Sequence, residues 1–101
     1  MEQIKRIKYM ETKLDEIAMA VRKLTDALEN YEGIQTGLQE LCDYYESPLW
    51  RRDFEDDEKG KLPADLKRGV LSEDAVYDLL TENQELLNKM QLLVNELVKI
   101  D

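Results

Sequence analysis

The stretch Ile4–Tyr31, IKRIKYMETKLDEIAMAVRKLTDALENY, decides the fold. From Ile4 onward, apolar residues return at steps of three and four: Ile7, Met10, Leu14, Ile17, Val21, Leu24, Leu28 and Tyr31. Lys, Arg, Glu and Asp fill the positions between them. A helix turns once every 3.6 residues, so this spacing gathers the apolar side chains into one a/d stripe sustained over more than three heptads. The stripe suits either the core-facing side of a bundle helix or one strand of a coiled coil.

Past Tyr31 the phase slips. Ile34, Leu38, Leu41 and Tyr45 make a second stripe offset from the first, with Gly33 and Gly37 at the slip. Each glycine costs a helix about 1 kcal/mol relative to alanine. A kink or break near Gly33 accounts for them, as does close approach of another helix. We read one long helix over about 2–45 that bends there. Ser47-Pro48 then supplies an N-cap and a first-turn proline, so a short helix is expected over about 48–58, with Leu49, Trp50 and Phe54 as its apolar members and Gly60 as its stop.

The connector Lys59–Ser72 is marked by Gly60, Pro63, Gly69 and Ser72. Pro63 can open a one-turn helix over about 63–68, with Gly69 as its C′ residue. Ser72 reads as an N-cap with Glu73 and Asp74 in the first turn, where the helix dipole favours negative charge. A second long helix is expected over about 73–100, with the seam Val76, Leu79, Asn83, Leu86, Met90, Leu93, Leu97 and Ile100. A buried Asn83 would fix register at some expense of stability.

The expected fold is therefore all-α: a single domain built as a long antiparallel helical hairpin, coiled-coil-like, with one or two short helices in the connector. At 1.5 Å per residue the first helix reaches roughly 65 Å and the last about 40 Å. The excess needs cover, from a lid of Trp50, Phe54, Leu62, Leu66 and Leu71 or from a partner chain. Charge is uneven: Met1–Leu24 is net +2, Thr25–Glu58 is −9, Lys59–Leu71 is +3 and Ser72–Asp101 is −5. The basic start of the first helix complements the acidic last one in an antiparallel arrangement.

Composition narrows the chemistry. The chain has 101 residues, enough for one modest core, and a net charge of −9. Such a surface repels nucleic acid and anionic lipid, so direct nucleic-acid binding is not expected. With no histidine, imidazole catalysis and histidine-ligated metals are excluded. The lone Cys42 cannot form an intrachain disulfide, and we expect it to be a buried structural thiol of a cytoplasmic protein. The charged amphipathic start does not read as a signal peptide, and no apolar run approaches the length of about 20 residues that spans a bilayer.

Three clusters carry side chains suited to chemistry. The acidic run Asp53, Glu55, Asp56, Asp57, Glu58 lacks the alternation and glycine of a calcium loop and suits a solvated helix face. Asp74, Asp78, Glu82 and Glu85 share one helical face and are weak candidates for Mg²⁺, as in small all-α nucleotide pyrophosphatases. The paired facing motif of those enzymes is missing, so no metal and no cofactor is expected. Tyr44, Trp50, Arg51, Lys61, Lys67, Arg68 and Tyr77 combine aromatic and basic groups in the one region whose charge opposes the global sign. They are the interaction-surface candidates. The alternative is that the aromatics are core and the cations neutralise the neighbouring acids.

The motif LPADLKRGVLSEDAVYDLL (Leu62–Leu80), preceded by Tyr44-Tyr45, Ser47, Trp50 and Asp53-Phe54, resembles a small bacterial family known only as a domain of unknown function. The resemblance spans nearly the whole chain. It implies a bacterial, cytoplasmic, stand-alone small protein and brings no activity, cofactor or catalytic residue. The functional expectation is a non-enzymatic module that binds another protein or a second copy of itself. The alternatives are an acidic mimic of nucleic acid that inhibits a DNA- or RNA-binding partner, and a Mg²⁺-dependent nucleotide or phosphate enzyme.

Overall fold

The computed structural model describes residues 2–98. It contains four α-helices, α1 (Gln3–Gly33), α2 (Gln35–Tyr45), α3 (Pro48–Glu58) and α4 (Glu73–Val98), with a 3₁₀ turn at Gly69–Leu71. No strand occurs among the described residues. The fold class is all-α. The chain divides into two compact units, Met1–Leu41 and Cys42–Asp101. Burial gives the reason. The buried residues Trp50, Leu71 and Val76 all lie in the second unit, and no residue of α1 is buried. Ile100, the last expected seam residue, lies outside the described residues.

In the first unit, the Glu2 carboxylate accepts the Ile4 N–H at 3.1 Å and caps α1. The a/d stripe forms along α1 as the spacing requires. The expected bend is a one-residue interruption. Ile34 leaves helical geometry (φ −95°, ψ 2°), and its N–H is shared between the Asn30 and Tyr31 carbonyls. The ladder resumes with the Leu38 N–H donating to the Ile34 carbonyl at 2.9 Å. A Cβ at Gly33 or Gly37 would meet nothing within 4 Å, so close helix packing is not what these glycines serve. They weaken the helix where its stripe changes phase.

In the second unit, Ser47 caps α3 in both directions. Its Oγ accepts the Trp50 N–H at 3.3 Å and donates to the Tyr44 carbonyl at 2.6 Å, while Pro48 takes the first helical position. Helix α3 ends in a Schellman motif. The Lys61 N–H reaches the Asp56 carbonyl and the Gly60 N–H the Asp57 carbonyl, both at 3.0 Å. Gly60 sits at φ +70°, a left-handed conformation that favours glycine.

The connector departs from expectation. Pro63–Arg68 is not a helix but a turn closed by the Leu66 N–H on the Pro63 carbonyl at 3.2 Å. Arg68 Nη2 donates to the same carbonyl. A six-residue helix gains too few ladder bonds to offset its nucleation, and the competing guanidinium bond decides. The 3₁₀ turn forms just beyond, where the Leu71 N–H meets the Arg68 carbonyl and the Ser72 N–H the Gly69 carbonyl. Gly69 is not a left-handed C′ residue but opens that turn. Ser72 then caps α4, its Oγ accepting the Ala75 N–H at 3.2 Å. The 3₁₀ turn packs on both α3 and α4 and carries Leu71 into the core between them.

Candidate functional site

Trp50 is the centre of the second unit. It is 4% exposed, and its ring stacks on Phe54 (centroids 5.2 Å, 15°) and meets Tyr45 edge-on (5.2 Å, 74°). The indole N–H donates to the Val70 carbonyl at 2.9 Å, so the one polar atom of a buried ring is satisfied across the connector. Helical spacing places Trp50 and Phe54 one turn apart on α3, and the Ser47 cap fixes the angle at which α3 leaves α2. Of the expected lid, Trp50 and Leu71 are buried, Phe54 and Leu62 are half-buried, and Leu66 is exposed.

Beside this knot lies a cavity of about 340 Å³. Leu62, Leu66, Val70 and Leu71 form its apolar walls, and Tyr44, Asp53 and Lys67 its polar side. The Tyr44 hydroxyl donates to Asp53 Oδ2 at 2.6 Å. Loss of water around the phenol, then the hydrogen bond to Asp53, then the carboxylate charge, push its pKa up from 10.0 to about 12. Tyr44 therefore stays protonated and holds Asp53 as a fixed acceptor. The pair fastens the end of α2 to α3.

The cations of the connector face the acidic run. Arg68 Nε lies 3.3 Å from Asp57 Oδ1, out of contact with water and off-line for a hydrogen bond, so the contact is one of charge. Lys61 Nζ lies 3.9 Å from Asp56 Oδ1, a longer and more exposed pair of small energetic weight. Thus Trp50, Tyr44, Lys61 and Arg68 all contact partners within the fold, and Lys67 stands at the cavity. Arg51 is exposed on α3. Tyr77 is 63% exposed and lines a different, open recess with Tyr45, Glu46, Leu80, Thr81, Gln84 and Glu85. The seven candidates do not converge on one pocket. Sequence reading missed Asp53, Asp57 and the Val70 carbonyl as their partners, because the only sequence signal was membership of an acidic run or a connector.

Asp74, Asp78 and Glu82 are exposed along α4 with Glu85. Among the described residues, no three Cys, Asp or Glu side chains gather as metal ligands would. Cys42 is half-buried, not buried as expected. Among the described residues, no helix is long and apolar enough to cross a membrane.

What the molecule leaves open is the stripe of α1. Ile7, Met10, Leu14, Ile17, Val21, Leu24 and Leu28 are each between 41% and 61% exposed. Together they form a contiguous apolar surface along the helix. A recess over Ala18 is rimmed by Leu14, Asp15 and Arg22.

A family model described as a domain of unknown function (DUF4298) matches residues 7–93. The chain belongs to the DUF4298 family. The matched span runs from Ile7, the first a position of the regular stripe, to Leu93 in α4, and so includes both the exposed stripe and the Trp50 knot of this DUF4298 chain. No curated protein matches it. No solved structure matches it either.

Proposed function

We propose that this DUF4298 protein is a non-enzymatic interaction module of a bacterial cytoplasm. The Trp50 knot is its folded anchor, and α1 is its contact helix. One observation carries the reading: the a/d stripe of α1 is apolar over more than three heptads and exposed from Ile7 to Leu28. A helix with such a stripe gains stability mainly from burying it, so a facing helix is the natural complement. The partner is another protein or a second copy of the chain.

The acidic-mimic alternative has the net charge of −9 for support, but Asp53, Asp56 and Asp57 already face Tyr44, Lys61 and Arg68. The Mg²⁺-enzyme alternative has only the carboxylates of one helix.

The test is purification from the native cell, with and without the pair Leu14→Lys and Val21→Lys. The reading expects associated chains to be lost from the doubly substituted protein while the Trp50 fluorescence maximum stays in place. A substituted protein that keeps every associate contradicts it.

A further inference from the structure

The charge order of α1 is unfavourable to the helix on its own. Its first turn holds no acidic residue and its last turn no basic one. Lys5, Arg6 and Lys8 crowd the N-terminal end, and Asp26, Glu29 and Glu32 the C-terminal end, the reverse of what the helix dipole favours. An arrangement that weakens an isolated helix becomes favourable when the neighbouring helix presents the opposite order. A second α1 running the other way presents it.

The register supports the same occupant. With Ile7, Leu14, Val21 and Leu28 as a positions and Met10, Ile17, Leu24 and Tyr31 as d positions, an antiparallel pair centred on Met19 sets every a residue against a d residue of the partner. Ile7 meets Tyr31, Leu14 meets Leu24, and Val21 meets Ile17. Lys8, Asp15, Arg22 and Glu29 recur every seventh residue with alternating sign, each one position after an a residue and so on the outer side of the helix. Small residues, Ala18 and Ala20, flank the midpoint and let the helices approach, and the recess over Ala18 lies between Asp15 and Arg22. Parallel pairing in register would instead set the basic ends together and the acidic ends together. The facing stripes would remove on the order of 1,000 Å² from water, where specific interfaces begin.

We infer that the protein forms an antiparallel homodimer through α1, with its two-fold axis at the level of Met19. This rests on the reading of α1 as a contact helix and names its partner as a second copy of this chain.

The experiment uses the full chain. Sedimentation velocity across a rising concentration series reports association, and Leu14→Lys should weaken it at least tenfold. Spin labels at Met19→Cys and, separately, Lys5→Cys, each in a Cys42→Ser background, report direction. Both positions face away from the stripe, and unchanged Trp50 fluorescence checks folding. The inference expects the Met19 labels level with each other and the Lys5 labels about 40 Å apart along the axis. Two short distances mean a parallel pair and overturn it. A monomer at every concentration also overturns it. In that event the melting temperature of Leu14→Lys separates the two readings. An unchanged value leaves α1 a contact helix for a different protein, whereas a lowered value places the stripe inside one chain and removes the proposed function as well.

Discussion

Trp50→Phe tests the anchor of the second unit. The substitution keeps an aromatic ring between Tyr45 and Phe54 but removes the pyrrole half of the indole and its N–H. The ring is 4% exposed, so nearly all the deleted surface was buried, a loss of about 1 kcal/mol at 25 cal/mol per Å². The Val70 carbonyl, which received the 2.9 Å bond, loses its donor, and a stranded acceptor costs about 1–2 kcal/mol more. The expected loss is about 2–3 kcal/mol, large for a unit with so few buried residues. Leu49→Ala is the control. Leu49 precedes Trp50 on the same helix but is 61% exposed, and its truncation should cost less than about 0.5 kcal/mol. Urea unfolding followed by far-ultraviolet circular dichroism measures both. If Trp50→Phe is no more damaging than Leu49→Ala, the indole is not the centre of the fold.

Further outcomes follow from the same geometry. Tyr44 has a folded pKa of about 12 against 10.0 for a free phenol, so its contribution to stability is full below pH 10 and is lost as pH rises towards 12. Tyr44→Phe should abolish that decline, as read by unfolding at a series of alkaline pH values. Gly60→Ala should destabilise by about 1 kcal/mol, because φ +70° strains any side chain, although a Cβ there meets no neighbour. Gly37→Ala, in ordinary helical geometry with open space around it, should instead stabilise by about 0.5–1 kcal/mol. Thermal melting of the two variants checks the opposite signs.

The parts of this molecule legible in its sequence are those governed by local rules. The α1 stripe, the Ser47–Pro48 start, the stop at Gly60 and the Ser72 cap each depend on residues within one or two turns, and each stands where its chemistry places it. The connector was not legible in the same way. Whether Pro63–Arg68 closes a helical turn is a near-balanced local choice, and a guanidinium bond from Arg68 to the Pro63 carbonyl settles it. Trp50 and Arg68 fit both a surface site and a folded lid with neutralised acids, because composition cannot show which groups the chain folds over. Their partners, the Val70 carbonyl and Asp57, lie 20 and 11 positions away in sequence, and only the path of the connector brings them together. Periodicity shows that a helix has an apolar face and does not show what covers it.

Amide hydrogen exchange along the full chain, at rising protein concentration, reads the Trp50 knot and the α1 stripe separately. Amides around Trp50, Leu71 and Val76 are expected to be protected at every concentration, while those from Ile7 to Leu28 gain protection only as the protein associates. Strong protection of Ile7–Leu28 in the dilute monomer would contradict this expectation, because the stripe would then be buried within a single chain.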